Sequence, residues 1–440
     1  MKQENDYECL PQYLSALAIS LSSCMVGGWM AWTSVAIPKM MNITTSDSDN
    51  NTAVYTDDDP ISIDLHQGSW IASLFFIGNI VGCLAGGYIN QKLGTRKVYL
   101  ISAPISALTW IMVALATDLW MILVSRVISG IMFGFFQANG KVYNAEIAHP
   151  DLRGSLGTIL GNMFSLGSIY TYVTGYFIHS WRIIAWLQVI PCILMGIFVF
   201  FVPDSPYWLI EKGRYQEAQK SLTILRGSNY DINDEYQEIL NKKRQKEAKG
   251  RTVLQTLCSR VFFIPFLRIG SLMIITQWAG INVITAYMVN IFIQSGSSVE
   301  PGLAAILVCS VQQCLATCST AVLRVSPRKP LFIICASGIA VAQASMGTYS
   351  YLTRDLDQAG DYGWIPMACV ISLNAFRTVG FMVVIQLVLA ESFPTEIRLE
   401  HINIFLSSLI TLLQSLCFWY LRSFHSRQHV RCHQAVSILC

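Results

Sequence analysis

Runs of about 20 apolar residues, separated by short polar or glycine-containing breaks, recur along nearly the whole chain, and about 20 is what a helix needs to cross a hydrocarbon core of about 30 Å. The pattern predicts spans over residues 13–36, 69–90, 98–117, 119–141, 156–178, 183–202, 264–293, 303–323, 331–351, 364–390 and 402–421, eleven in all. In lipid each backbone amide needs a partner within the protein, so repeated spans mean helices. One long polar segment interrupts the series. From Pro203 to about Arg260 it holds 11 Lys/Arg and 8 Asp/Glu, with helical periodicity in RYQEAQKSL and DEYQEILNKKRQKEA. The expected organisation is a six-helix bundle over 1–202, a linker with short helices over 203–260, a second, incomplete bundle over 261–422 and an atypical tail over 423–440.

Composition agrees with this pattern: 53% of the residues are hydrophobic and 13% charged, too few polar groups to cover a soluble protein of 440 residues. A net charge of +3 is too mild to indicate a nucleic-acid partner. The distribution of charge says more. Lys92, Arg96, Lys97, Arg153, the basic linker, Arg324, Arg328, Lys329 and Arg398 fall in alternate loops, which the positive-inside rule places in the cytoplasm together with the N-terminus. The opposite loops are acidic or neutral: residues 37–68 carry six Asp and one Lys. That first outer loop also holds two glycosylation sequons, at Asn42 and Asn50. The N-terminal MKQENDYECL precedes no cleavage site, so the first span is expected to act as a signal anchor in a multi-pass protein of the plasma membrane. The 13 cysteines lie mostly in apolar segments without metal-ligand spacing, and neither a metal site nor a cofactor is expected. No nucleophile with a base and no phosphate loop is evident, so an enzyme is not expected, and the lone His149 reads as a solvated loop residue.

The chain repeats itself. Glu146 is followed seven residues later by Arg153, in YNAEIAHPDLRG after the fourth span, and Glu391 is followed seven residues later by Arg398, in LAESFPTEIR after the tenth. Gly94-Thr95-Arg96-Lys97 after the second span likewise has a counterpart in Ser326-Pro327-Arg328-Lys329 after the eighth. Internal repeats of this kind are how many carriers build two halves that rock about a site between them. Taken in order, GGYINQKLGTRK, SRVISGIMFG with Arg126, YNAEIAHPDLRG, PDSPYWL, QWAGIN with Tyr287 and ESFPTEIR resemble the sugar-porter branch of the major facilitator superfamily, and within it the insect facilitated trehalose transporters. The likeness runs from about Ser22 to Leu421. It implies an all-α membrane protein with two pseudo-symmetric helical bundles, the second short of its last helix, that moves a small sugar by alternating-access facilitated diffusion. The expected partners are that sugar and the lipid bilayer, with no obligate protein partner.

Candidate residues follow. The seventh span offers Gln277, Asn282 and Tyr287 along a slowly rotating stripe, with Gly280 allowing a local break; amides and hydroxyls both donate to and accept from an uncharged polyol. Read from spacing alone, the same residues could equally be hydrogen-bonding neighbouring helices. The resemblance implies that this stretch contacts the sugar, with Trp278 against its ring and with Asn162 and Gln386 as weaker candidates. Trp29, Trp32 and Trp364, near helix ends, read as interfacial anchors. Arg96, Glu146 and Arg153 in one half and Arg328, Glu391 and Arg398 in the other could pair across the halves as a gate, or could simply anchor helix ends. The first span carries no carboxylate to face Arg126, for which backbone carbonyls or water are the expected surroundings, and a carrier uncoupled from protons is the implication.

Several positions depart from the family pattern. Gln91 and Leu323 stand where Asp is usual, Ser326 for Gly, Pro327 for Arg, Thr276 for Gln and Gly161 for Gln, and the tenth span reads MVVIQ where a Gly-Pro-x-Pro-Trp stretch is usual. The chain ends after the eleventh span in a basic tail, which predicts incomplete packing of the second half. Alternatives therefore stay open: a non-transporting paralogue or sugar sensor, or a carrier of another small polar solute. A receptor or channel is argued against by the repeated loops and the long linker.

Overall fold

The computed structural model describes residues 8–41, 61, 63–227, 230–249, 267–268, 270–272, 275, 281–295, 299–352, 363–381 and 384–385. No strand occurs among them. In chain order the helices are α1 (Leu10–Met40), α2 (Leu65–Leu93), α3 (Thr95–Ala114), α4 (Leu119–Ile147), α5 (Arg153–Phe177), α6 (Trp181–Leu187), α7 (Val189–Phe201), α8 (Pro206–Glu211), α9 (Tyr215–Arg226), α10 (Asn233–Lys249), α11 (Ile281–Ala286), α12 (Met288–Gln294), α13 (Pro301–Val325), α14 (Arg328–Leu352) and α15 (Ile365–Phe376), the last running into a π-helical turn at Arg377–Phe381. Seven helices among the described residues, with α6 and α7 counted together, are long and apolar enough to cross a membrane. The 25-residue α5 also has the length, but it is rich in Gly, Ser, Thr and Tyr.

Small residues set the packing of the first spans. Lipid is as apolar as leucine, so helices associate in it through close van der Waals contact, which small residues permit. Gly78 and Gly82 of α2 lie against the carbonyls of Val127 and Ile131 of α4, and a Cβ on either would come within 2.1 Å of the oxygen. Gly130 of α4 meets the Phe75 carbonyl from the other side, at 2.0 Å from where its Cβ would be. The same device joins α1 to α5, where a Cβ on Gly167 would lie 1.9 Å from the Cys24 carbonyl.

The sixth span is a helix in two pieces. Pro191 has no N–H to offer the carbonyl of Leu187 four residues back, so the helix breaks at Gln188. The freed carbonyl is taken by the Tyr170 hydroxyl at 2.9 Å, and the buried Gln188 amide donates to Thr171 Oγ1 at 2.8 Å. The end of the seventh span is broken too, at Tyr287 between α11 and α12. The tenth span, expected to run unbroken over 364–390, turns π-helical at Arg377, where Asn374 Oδ1 accepts from the guanidinium at 3.1 Å. The eleventh span and the tail lie outside the described residues, and with them the packing that their sequence predicts.

The linker is fastened to the end of the first six spans. Gly94, at φ 82°, turns the chain between α2 and α3 and leaves room for the Trp208 ring, whose Nε1 donates to the Gln91 carbonyl at 3.1 Å. Arg226 is 1% exposed; its guanidinium grips the Glu235 carboxylate at 2.5 and 2.8 Å and donates to the Ile147 carbonyl at the end of α4 at 2.8 Å. The Glu8 amide donates to the Arg226 carbonyl at 2.8 Å, so the start of α1 and the linker share one end of the molecule.

Candidate functional site

Between the two sets of spans, the end opposite the linker is sewn together. The break at Tyr287 leaves backbone groups of α11 and α12 without partners in their own helices, and the first half supplies them. Ser34 Oγ of α1 accepts from the Val289 amide at 3.0 Å, and the Tyr172 hydroxyl of α5 donates to the Thr285 carbonyl at 3.3 Å. Tyr287 itself, half-buried, hydrogen-bonds Ser69 of α2. One turn further along α5, the Tyr176 hydroxyl meets the Glu300 carboxylate at 3.1 Å and its ring packs on Gly302 at the start of α13.

At the linker end one face of α5 is bare. Gly154, Gly157 and Gly161 are exposed, and a Cβ on any of them would meet nothing within 4 Å. Asn162 beside them is half-buried and makes no hydrogen bond to a described residue. Lys141 of α4 is exposed as well, although its ammonium lies within the body of the protein, and it too has no hydrogen-bond or ionic partner among the described residues. The space beside α5 thus opens toward the linker and is closed at the other end.

Of the residues singled out from sequence, the structure brings Tyr287 to the closed end, where it meets Ser69 of α2. Asn162 stands at the open part of the same helix. Asn282 lies in α11; its side chain, like that of Arg153 at the start of α5, is outside the described residues, as are Gln277, Trp278, Gln386, Glu391, Arg398, Asn42 and Asn50 altogether. Arg328 is exposed at the start of α14. Arg96 and Glu146 share one cluster at the linker end: the Arg96 guanidinium donates to the Phe200 carbonyl at 2.6 Å, Ser205 Oγ donates to the Glu146 carboxylate, and the Tyr143 hydroxyl donates to the Pro203 carbonyl at 2.7 Å. Asp204 joins them. Burial raises its carboxyl above the usual range, against the opposing pull of Arg96, Lys97 and Arg214.

The interfacial reading of Trp29 and Trp32 is overturned. Both are fully buried inside the first half: Trp29 stacks on Phe136 with centroids 6.2 Å apart, and Trp32 meets Trp110 and Trp181 edge to face. Their partner is Arg126. Its guanidinium lies 4.2 Å from the centre of the Trp32 ring and donates to the Trp29 carbonyl at 3.1 Å, so a backbone carbonyl is present as expected while an aromatic face, which sequence reasoning missed, supplies the rest. Trp364 is 55% exposed, as an anchor requires. Lys141 was also missed. The signal for it was its place five residues before Glu146, the same offset that Gln386 has from Glu391.

A family model described as sugar (and other) transporter matches residues 15–428. The facilitated trehalose transporter Tret1 of Apis mellifera ligustica is 31% identical over 392 residues, which are 88% of this chain and 74% of that one. Tret1 of Bombyx mori is 28% identical over 387 residues, 88% of this chain and 73% of that one. The partially occluded inward-open structure of the xylose transporter XylE from E. coli superimposes with a TM-score of 0.76 at 19% identity, covering 97% of this chain and 94% of that one. The proton:xylose symporter XylE bound to 6-bromo-6-deoxy-D-glucose, a major facilitator superfamily protein, gives 0.76 at 21% identity over 98% and 94%. With the broken seventh span, the repeated loops and the two-ended pathway, these likenesses identify a major facilitator fold, and the chain belongs to the family of sugar (and other) transporters.

Proposed function

We propose that this chain carries a small uncharged sugar, trehalose or a hexose, across the plasma membrane by facilitated diffusion, and that the state described is the one open to the cytoplasm. The observation that carries this reading is the contrast along α5, sealed by Tyr172 and Tyr176 at one end and bare at Gly154, Gly157 and Gly161 at the other. Alternating access needs a state of this kind and its mirror. The linker end is cytoplasmic by the positive-inside rule, and the meeting of Glu8 with Arg226 supports an even number of spans between the N-terminus and the linker. In the other state the linker end closes, with Arg96, Glu146 and Arg153 meeting Arg328, Glu391 and Arg398. The linker moves with the first bundle, because Arg226 and Trp208 tie it there.

Gln277, Trp278, Asn282 and Tyr287 of the seventh span hold the solute, with Asn162 and Gln386 beside them. Proton coupling would need an acid inside the membrane, and Arg126 instead rests on a tryptophan face and a carbonyl. Trehalose is the sugar named in the relatives quoted above, and xylose in the similar structures; both are neutral polyols suited to amides and hydroxyls. The test is uptake of labelled trehalose and glucose into oocytes, beside Gln277→Ala at equal surface expression. The expected result is saturable uptake that Gln277→Ala abolishes and that collapse of the proton gradient leaves intact. Uptake of neither sugar by a surface-expressed protein would point instead to another solute or a non-transporting paralogue.

A further inference from the structure

Most of the described cations set into the membrane-spanning helices have partners. Lys39 donates to the carbonyls of Gly175 and Ile178 at 2.7 and 2.6 Å. Arg182 caps the end of α3 through the carbonyls of Ala114 and Ala116 at 3.2 and 2.7 Å. Arg126 has the Trp32 face and the Trp29 carbonyl, and Arg377 has Asn374. Lys141 has none of these. It is exposed to the space inside the protein and has no hydrogen bond or ion pair with a described residue.

No described acid pairs with the charge. Among the described residues, the membrane-spanning helices α1 to α7 and α11 to α15 contain one carboxylate, Glu146 at the linker end of α4, and that group accepts from Ser205. Among the described residues the interior is therefore positive, with Arg126, Lys141 and Arg377 and no acid paired with them. A cation within a membrane protein normally pairs with an acid or a carbonyl, or marks a ligand pathway. Reaching for the bilayer surface is an alternative for lysine, but Lys141 is six residues, or about 9 Å, from the end of its helix. Side chains on a helix also tilt toward its N-terminus, which for α4 is away from the linker end. Meanwhile Gln137, one turn back on the same face and half-buried, adds an amide to that face of the helix, its oxygen toward Cys83 of α2. In the repeat, Lys141 takes the place that Gln386, a solute-contact candidate, has in the second half.

We propose that Lys141 forms an anion subsite in the pathway and that the chain takes a sugar bearing one negative charge, a sugar acid whose carboxylate pairs with this ammonium. The inference rests on the sugar-carrier reading and adds a charged sugar to the neutral ones of that reading. The same charge could arrive as a small inorganic anion bound beside a neutral sugar, and the experiment separates the two sources.

The full-length chain, purified into lipid nanodiscs, is titrated calorimetrically with glucuronate and with glucose, in chloride and in methanesulfonate buffers, as wild type, Lys141→Gln and Lys141→Arg. The expected result is glucuronate binding about tenfold or more tighter than glucose, since one charge pair in a partly wet cavity is worth at least that much. That ratio falls to about one in Lys141→Gln and persists in Lys141→Arg. Glucose affinity that rises with chloride in the wild type but not in Lys141→Gln would keep the subsite and assign the charge to a co-bound ion. Equal affinity of the wild type for both sugars without a chloride effect, or a preference that survives Lys141→Gln, overturns the proposal. Uptake of neutral sugars reports separately. Trehalose or glucose uptake without glucuronate recognition removes this inference alone, and glucuronate transport without neutral-sugar uptake removes the neutral-sugar reading alone.

Discussion

The two ends of α5 are made of similar residues in opposite circumstances. Toward the end away from the linker, Gly167 lies under the Cys24 carbonyl and Tyr172 and Tyr176 reach across to Thr285 and Glu300; toward the linker, Gly154, Gly157 and Gly161 face open space. Glycine in the first region is required by the neighbour already present. In the second region nothing in this state requires it, which makes sense if another state covers it. At the closed end Met288, Phe292, Ala304 and Val308 are buried in one apolar core with residues of α1 and α5, and the hydroxyls that complete the broken helix add a net of about 1 kcal/mol each. A carrier's two states must differ by only a few kcal/mol to interconvert, so contributions of this size shift the balance between them.

The largest effect should come from filling the open end. Gly157→Leu has room in the state described, so folded yield and elution as a single species are expected to stay at wild-type level. The added side chain stands where the second half must pack when the linker end closes, and uptake should fall about tenfold or more. Normal uptake would mean that α5 is not covered during the cycle. A smaller change is expected at the sealed end. Tyr172→Phe leaves the Thr285 carbonyl without its donor and should move the balance about fivefold toward opening on that side. Spin labels at the exposed Phe177 and Leu303 would report it as a growing population of longer distances, and an unchanged distribution would remove Tyr172 from the closure.

The smallest effect concerns the linker-end cluster. Asp204 has its carboxyl raised above the ordinary 3.8 by burial, so the protonated form suits the folded state. The sign follows: its contribution is most favourable below the unfolded value and is lost as pH rises through the folded one. Asp204→Asn is therefore expected to melt slightly higher than wild type at pH 7, with the gap narrowing toward pH 4. A variant less stable at pH 7 would mean that the pull of Arg96, Lys97 and Arg214 outweighs desolvation.

Much of this was legible from residue order. The six spans before the linker lie close to where the apolar runs placed them, and α9 and α10 form where the linker showed helical periodicity. Tyr287, a solute candidate through the resemblance, sits at a break in the seventh span, while Gly280, where the break was expected, lies outside the described residues. Trp29 and Trp32 were misplaced because position near a helix end predicts an interfacial tryptophan only when the neighbouring helices leave that end uncovered. Here Phe136, Trp110 and Trp181 enclose them. The break at Gln188 was written in Pro191, but that the helix could open there depended on Tyr170 taking the Leu187 carbonyl.

Sequence alone determined that this chain lives in a membrane, that it is helical and that it is duplicated, because those follow from the length of apolar runs, from the solvent they require and from spacing along the chain. Tertiary structure decided which end of α5 is closed, what surrounds Arg126 and that Lys141 has no partner among the described residues. Each of these depends on groups about 100 residues or more apart in sequence, such as Trp29 with Arg126 and Tyr172 with Thr285, and local spacing carries no information about such meetings.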